Sequence, residues 1–206
     1  MSNEEKIGVF GGAFNPVHNG HLNLAREAIE QLNLRRLLII PTFESPHKNT
    51  KLLPFEDRAE MCKTAFGGME VHGTVPCVVE ISDIEKELGG VSYTINTLRE
   101  LRGRYPNGSF YLLIGGDMLY SFTEWYKYES ILKEAKVCAI ARGGDSYIDM
   151  LEFASEIGRI KVLQTDIVDI SSTQIREAVQ NNGDISGLVP QCVADHIRAN
   201  NLYRGN

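Results

Sequence analysis

Short apolar runs alternate along this chain with longer amphipathic runs, and few folds accommodate that order. The apolar runs have the length of buried strands and cover residues 7–10, 37–41, 77–82, 110–115, 137–141 and 160–164. The amphipathic runs repeat their apolar residues at helical spacing and cover residues 21–32, 55–66, 93–104, 129–134, 147–157, 173–181 and 190–200. The alternation predicts an α/β fold, a doubly wound parallel sheet with helices on both faces. Ligands of such sheets bind beyond the carboxyl ends of the strands.

Composition narrows the class of protein further. The 206 residues suit one domain, and no repeat or linker divides residues 1–206. No signal-peptide pattern or apolar run of membrane-spanning length occurs, so we expect a cytoplasmic protein without a membrane partner. The net charge of −6 argues against a nucleic-acid partner. It still permits a small anionic substrate, because a pocket can be locally positive.

The cysteines are widely spaced and form no C-x-x-C pair; they are Cys62, Cys77, Cys138 and Cys192. We interpret them as reduced, buried thiols. A disulfide framework or a zinc site is the less favoured alternative.

The stretch GGAFNPVHNGHL, residues 11–22, lies between the first predicted strand and the first predicted helix. Glycines in such a turn let a ligand approach the backbone closely. His18 and His21 share a face of the first helical turn, where free amides and the helix dipole attract anions. The stretch therefore predicts a site for a polyanion such as a triphosphate. Half a metal site or an ordinary polar helix start remain as alternatives.

This stretch resembles the signature G-G-[ST]-F-[DN]-P-x-[HT]-x-G-H of the nucleotidyltransferases with an H-x-G-H motif. The one departure is Ala13, which replaces a small hydroxyl residue and would remove any ligand contact made by that hydroxyl. The resemblance implies a Rossmann-like fold. It also implies that part of this stretch binds ATP, namely Gly11, Gly12, Phe14, His18 and His21, and that Asn15 meets the second substrate.

The loop of residues 42–54 follows the second strand and carries Pro46, His47 and Lys48. From the residues alone, a solvated loop with surface lysines is the favoured interpretation. A P-H-K loop recurs, however, in the nicotinate mononucleotide branch of the same family. The resemblance implies that Lys48 leans over the triphosphate and contacts nicotinate mononucleotide. Arg58, on the next helix, is interpreted as a structural charge.

Three later features extend the resemblance to the pyridine nucleotide. Ser92 is a plausible N-cap of the helix of residues 93–104, and S-Y-T-x-x-T-L matches the family, where Thr94 faces the acid group of the pyridine ring. Asp117 ends a strand and is either a sugar-hydroxyl acceptor or an N-cap. Aromatic residues cluster in cores more often than on ligands, yet the resemblance places Trp125 on the nicotinate ring, with Tyr126 beside it.

The last feature is I-S-S-T-Q-I-R at residues 170–176. A capping box at its start is the structural alternative. An arginine near a helix start is unfavourable unless an anion balances it, so hydroxyls, amides and Arg176 predict a phosphate cradle. The segment matches the family's I-S-S-T-x-[IL]-R completely. The match assigns Ser171, Ser172, Thr173 and Arg176 to ATP, and we expect them to converge with residues 11–22.

Nearly the whole chain is thus similar to the nicotinate-nucleotide adenylyltransferase family. The resemblance implies transfer of the adenylyl group of ATP to nicotinate mononucleotide, with Mg²⁺ held mainly by ATP phosphates. The expected catalytic charges are His18, His21, Lys48 and Arg176. A nucleotide-sensing module and a zinc-binding regulator are the alternatives from other classes, and phosphopantetheine adenylyltransferases are the nearest competing enzymes. The sequence leaves a homodimer, and the choice between acid and amide forms of the pyridine nucleotide, open.

Overall fold

The strands of the computed structural model join in one parallel sheet. The structure describes residues 4–46, 52–71, 75–141, 146–165 and 170–204. Its strands are β1 (Glu5–Gly12), β2 (Arg36–Pro41), β3 (Val78–Ile81), β4 (Gly108–Gly115), β5 (Lys136–Ile140) and β6 (Ile160–Leu163). They are ordered β3-β2-β1-β4-β5-β6, and every neighbouring pair is parallel. This order confirms the predicted doubly wound, Rossmann-like sheet.

Helices follow the strands in the predicted alternation. They are α1 (Asn19–Leu32), α2 (Phe55–Gly67), α3 (Ile84–Leu88), α4 (Thr94–Arg104), α5 (Gly116–Tyr120), α6 (Tyr128–Glu134), α7 (Tyr147–Ile157), α8 (Ser172–Gln180) and α9 (Gln191–Ala199). The sequence analysis missed α3, α5 and a 3-10 helix at Phe122–Glu124. These elements have five residues or fewer, which is too short for a helical period to show.

Two apolar cores cover the two faces of the sheet, as the alternation predicts. Side chains alternate across each strand, so Phe10 points into one core while Ile7 and Val9 point into the other. The first core packs against α1, α2, α8 and α9. The second packs against α3 to α7. Helices that carry the two candidate phosphate segments therefore share one face.

The four cysteines are free thiols, so the disulfide alternative is wrong. Cys62 and Cys138 are buried and Cys77 is half-buried, but Cys192 is exposed, because it lies on the outer face of α9. Burial raises the pKa of Cys77 and of Cys138 to about 11, which keeps both thiols protonated at neutral pH.

Across the described residues, we find no helix with the length and hydropathy required to cross a bilayer.

The strand order reverses between β1 and β4, and this is where a doubly wound sheet binds its ligands. To one side, β1 leads into residues 13–18 and then α1. To the other, β4 leads directly into α5. The candidate site occupies this crevice and its surroundings.

Candidate functional site

The turn after β1 brings bare backbone to the carboxyl edge of the sheet. A Cβ built on Gly11 meets no atom within 4 Å, so the space beside this residue is open. A Cβ on Gly12 would lie 3.1 Å from the Phe14 ring. The Gly12 carbonyl accepts the backbone N–H of Thr42 at 2.8 Å, which ties the turn to the end of β2. A ligand can therefore approach the backbone at Gly11, while the backbone at Gly12 is held in place by its bond to Thr42.

The two histidines of the first segment lie together at the start of α1. His18 precedes the helix and is only 3% exposed, while His21 lies in its first turn and is half-buried. Their ring centroids are 3.6 Å apart. The backbone N–H of His18 donates to Nδ1 of His21 at 3.2 Å, so the neutral His21 ring carries its proton on Nε2.

Gly20 lets the second segment come close to this pair. A Cβ at this position would lie 3.1 Å from Nδ1 of His18 and 3.6 Å from the carbonyl oxygen of Ile170. A larger residue would separate the His18 ring from the strand-to-helix connection that precedes α8.

Phe14 supports the site from beneath. Its ring is 1% exposed and packs edge-on against His21 at 5.0 Å and against Phe10 at 5.4 Å. Its backbone has φ of 44°, a left-handed conformation that non-glycine residues seldom adopt. The sequence assigned Phe14 to ATP binding. Its burial indicates a role in holding His21 and the turn, because the ring has no surface left for a ligand.

The two signature segments converge, as the sequence predicted. The Ser172 hydroxyl donates to the carbonyl oxygen of Pro16 at 2.8 Å. Nη1 of Arg176 donates to the carbonyl oxygen of Asn15 at 2.9 Å, and its Nη2 donates to the Thr173 hydroxyl at 3.0 Å. The imidazoles and the guanidinium therefore lie around one turn, although about 150 residues separate the two segments.

Ser171 has a different task within the second segment. Its hydroxyl accepts the backbone N–H of Gln174 at 3.1 Å, so it is the N-cap of α8. This bond is one half of the capping box that the sequence offered as the structural alternative. Its assignment to ATP stays a prediction.

Asn15 is the point where four chain segments meet. Its Oδ1 accepts the backbone N–H of Leu53 at 3.3 Å and the hydroxyl of Tyr203 at 2.9 Å, and the residue is 4% exposed. Burial raises the pKa of Tyr203 well above its usual range, so the phenol remains a donor. The sequence assigned Asn15 to nicotinate mononucleotide. In the structure the Asn15 side chain binds the end of the 42–54 loop at Leu53. Tyr203, to which the sequence analysis gave no role, holds the Asn15 side chain in place.

Arg58 is a structural charge, as predicted. It is 1% exposed, and its guanidinium donates to the carbonyl oxygens of Leu53 (Nε, 2.9 Å) and Ala13 (Nη1, 2.9 Å). Burial lowers the pKa of Arg58. Arg58 joins α2 to the turn after β1 at Ala13, the position where this chain departs from the signature. Lys48, the other cation assigned to the site, lies outside the described residues.

The start of α4 corrects one prediction. Tyr93, not Ser92, precedes the helix, and Thr94 is its first residue. The Ser92 hydroxyl instead accepts the backbone N–H groups of Phe43 at 3.1 Å and Glu44 at 3.2 Å. Ser92 cannot cap α4 because its hydroxyl is used between loops that are distant in sequence.

Aromatic rings gather beside the start of α4. The Tyr126 ring lies 4.7 Å from the Tyr93 ring and is 49% exposed. Trp125 is half-buried against Phe122 at 5.5 Å. The Lys127 ammonium lies 4.9 Å from the centre of the Tyr126 ring. Tyr93 and Tyr126 thus form an exposed aromatic pair at the start of α4, whereas Thr94 and Trp125 are half-buried. The assignment of Thr94, Trp125 and Tyr126 to the pyridine nucleotide stays a prediction.

Asp117 lies in the first turn of α5 and is exposed. Gly115 is the N-cap of that helix, so the capping alternative for Asp117 is wrong. A carboxylate at the carboxyl end of β4 is well placed for a sugar hydroxyl, and that role stays a prediction.

Glu85 is a buried carboxylate that sequence analysis missed. It is 8% exposed on α3, and it accepts hydrogen bonds from the backbone N–H of Phe43 and the hydroxyl of Thr97, both at 3.2 Å. Burial raises the pKa of Glu85, and hydrogen bonds from Ser92, Phe43 and Thr97 oppose that shift. Because α3 has only five residues and is too short to show a helical period, no sequence pattern singled out Glu85.

Side chains that could cage a metal ion do not come together in the part of the chain that the structure describes. There, no group of three or more His, Cys, Asp or Glu side chains has the required arrangement.

Sequence comparison relates the chain to a set of transferases. A family model described as cytidylyltransferase-like matches residues 9–178. A Thermotoga sp. (strain RQ2) protein named "Probable nicotinate-nucleotide adenylyltransferase" is 37% identical over 199 residues, covering 96% of this chain and 97% of its own. A Carboxydothermus hydrogenoformans protein of the same name is 35% identical over 204 residues, which cover 97% of this chain and 98% of that protein.

Structure comparison gives the same fold. The Plasmodium falciparum nicotinic acid mononucleotide adenylyltransferase complexed with NaAD superposes with a TM-score of 0.79, covering 97% of this chain and 98% of that one. Its sequence identity to this chain is 19%. The likeness therefore supports the fold, while the relatives above carry the family assignment.

Proposed function

This chain belongs to the nicotinate-nucleotide adenylyltransferases of the cytidylyltransferase-like family, and we propose that it transfers the adenylyl group of ATP to nicotinate mononucleotide. The products are deamido-NAD and pyrophosphate. The observation that carries this proposal is the convergence of the two signature segments at Asn15 and Pro16. The NaAD complex of the Plasmodium protein supports the same pair of substrates.

The reaction needs positioning and charge rather than a protein nucleophile. A phosphate oxygen of the mononucleotide, already ionised at neutral pH, attacks the α-phosphorus of ATP. The bond between the α-phosphorus and the oxygen that bridges to the β-phosphorus breaks, and pyrophosphate leaves with that electron pair. No proton has to move before the attack.

The first segment supplies donors for the phosphates of ATP. Gly11 lets the phosphates approach the backbone, and the amides at the start of α1 attract negative charge. Nε2–H of His21 is the donor that this ring offers, because Nδ1 already accepts the His18 backbone N–H. His18 packs against the His21 ring and keeps its orientation.

The second segment supplies the balancing cation. Arg176 is held by Asn15 and Thr173, so its guanidinium reaches the site with little freedom left to lose. Ser172 and Thr173 line the same start of α8, where helix amides add to the field. Lys48 is proposed as a further cation over the triphosphate.

Mg²⁺ would be held by phosphate oxygens and water, since the described residues provide no cage for it. When bound, the ion neutralises charge on the phosphates. Thr94, Trp125 and Tyr126 are proposed to take the pyridine ring, and Asp117 a ribose hydroxyl. The cytoplasmic location and the possibility of a homodimer stay predictions of the sequence.

The test is a side-by-side assay of the purified protein with ATP, Mg²⁺ and one of three acceptors. These are nicotinate mononucleotide, nicotinamide mononucleotide and phosphopantetheine. We expect pyrophosphate and deamido-NAD with nicotinate mononucleotide. Pyrophosphate with phosphopantetheine alone would assign the chain to the competing adenylyltransferases. Nucleotide binding without pyrophosphate from any acceptor would make it a sensing module.

A further inference from the structure

A hydrogen-bond network beside the start of α4 joins two loops that lie far apart in sequence. The carboxylate of Glu85 accepts the backbone N–H of Phe43 and the hydroxyl of Thr97, each at 3.2 Å. Ser92 donates its hydroxyl to the same carboxylate. Glu85 therefore contacts the connection after β2, the connection before α4, and α4 itself.

Backbone pairing reinforces this junction. Glu44 and Val91 form an isolated parallel bridge, and the backbone N–H of Ser92 donates to the Glu44 carbonyl oxygen at 2.9 Å. The Ser92 hydroxyl accepts from Phe43 and Glu44, so its single proton is left for Glu85. Phe43, Ser92 and Thr97 all donate to this one side chain, which therefore ties the two connections to α4.

The junction lies beside Thr94, which is proposed to face the pyridine ring. Residues 43 and 44 come directly after β2 and Thr42, at the carboxyl edge of the sheet, and Ser92 lies two residues before Thr94. Building on the proposed function, we propose that Glu85 is a positioning residue for the pyridine nucleotide. It holds residues 43 and 44 against the start of α4 and so sets the affinity for nicotinate mononucleotide.

The hydrogen bonds of Glu85 involve different residues from the side-chain contacts that assemble the ATP side. Those contacts run from Ser172 to Pro16 and from Arg176 to Asn15. Loss of the Glu85 acceptor should therefore weaken the pyridine side and leave ATP binding intact. A general loss of packing around α3 would instead affect both substrates and lower the melting temperature.

The test compares Glu85→Gln with a matched variant in the same helix, Glu87→Gln. The first substitution keeps the size of the side chain but places an amide N–H₂ among donors. Glu87 pairs with Arg104 at 2.5 Å, and its side chain is 54% exposed, so the same chemical change there costs little. KM for each substrate and the melting temperature are measured for both variants and for wild type.

We expect Glu85→Gln to raise KM for nicotinate mononucleotide about tenfold, because buried donors lose their acceptor. In Glu85→Gln, KM for ATP should stay within about twofold of the wild-type value. In Glu87→Gln, KM for ATP and KM for nicotinate mononucleotide should both stay within about twofold of wild type. Ser92→Ala, which removes the hydroxyl that accepts from Phe43 and Glu44 but leaves the backbone pairing, should raise KM for nicotinate mononucleotide by about threefold to fivefold. If Glu85→Gln does not fold, the KM values of Ser92→Ala in the same assay test the positioning role.

Equal rises in both KM values, or no rise in KM for nicotinate mononucleotide, would overturn the positioning role while leaving the proposed function in place. A wild-type protein that forms no deamido-NAD would overturn the proposed function, and the positioning role with it.

Discussion

The proposed ATP side and the proposed pyridine side of the site differ in how firmly the fold holds them. On the ATP side, Asn15 and His18 are 4% and 3% exposed, and hydrogen bonds between segments anchor the loop. On the pyridine side, Tyr126 and Tyr93 are 49% and 36% exposed and meet mainly through their rings.

This difference agrees with the ligand proposed for each side. Phosphates are stabilised by donors fixed before the substrate arrives, because reorganisation during the reaction would raise the barrier. An aromatic ring is bound by stacking surfaces, which must stay exposed until the ring covers them. We therefore expect substitutions on the ATP side to reduce turnover, and substitutions on the pyridine side to reduce affinity for one substrate.

The largest effect is expected at His21. His21→Ala removes a phosphate donor, and dinucleotide synthesis should fall by about a hundredfold or more. The circular dichroism spectrum should not change. The control is His196→Ala, which removes an imidazole beside Asp57 between α9 and α2. Near-normal turnover in His21→Ala would contradict its catalytic assignment.

A substitution at Arg176 tests whether kcat/KM for ATP depends on the fixed position of the guanidinium as well as on its charge. Arg176→Lys keeps the positive charge but loses the forked donors to Asn15 and Thr173, so kcat/KM for ATP should fall about 10- to 100-fold. Arg198→Lys, on an exposed pair with Asp195, is the matched control and should behave as wild type. Full activity in Arg176→Lys would show that charge alone suffices.

Trp125 tests the pyridine side. Trp125→Ala should raise KM for nicotinate mononucleotide about tenfold, because a stacked base contributes about 1–3 kcal/mol. KM for ATP should not change. Tyr120→Ala removes another exposed ring, one that packs on Phe153 at 5.2 Å, and should alter neither constant. A rise in KM for ATP instead would mean that Trp125 belongs to the adenine end.

The smallest effect on KM is expected at Gly11. A substitution there distinguishes a contact with the ligand from an effect on folding. A Cβ there meets no protein atom within 4 Å, so Gly11→Ala should leave the melting temperature unchanged. If phosphates occupy this space, KM for ATP should rise about fivefold. Gly67→Ala adds a methyl group in equally open space at the end of α2, and KM for ATP should not respond. An unchanged KM in Gly11→Ala would place the phosphates elsewhere.

Several parts of this site were predictable because the pattern and the contact are both local. The alternation of apolar runs predicted each strand and the longer helices, since the periods of strand and helix act over neighbouring residues. The closeness of His18 and His21 was predictable for the same reason, because only three positions separate them. The residues 89–94 show the opposite: a local rule made Ser92 a cap, and contacts to Phe43 and Glu44, almost fifty residues away, use its hydroxyl instead.

By itself the sequence determined the α/β architecture, the family and the two segments that meet, because these depend on periodicity and on residue types within short windows. Only the tertiary structure decided that Tyr203 holds Asn15, that Phe14 is buried beneath His21, and that Glu85 joins two loops. Residues 15 and 203 are 188 positions apart, and this contact forms only when the folded sheet and the helices packed on it bring the turn after β1 and the segment after α9 together.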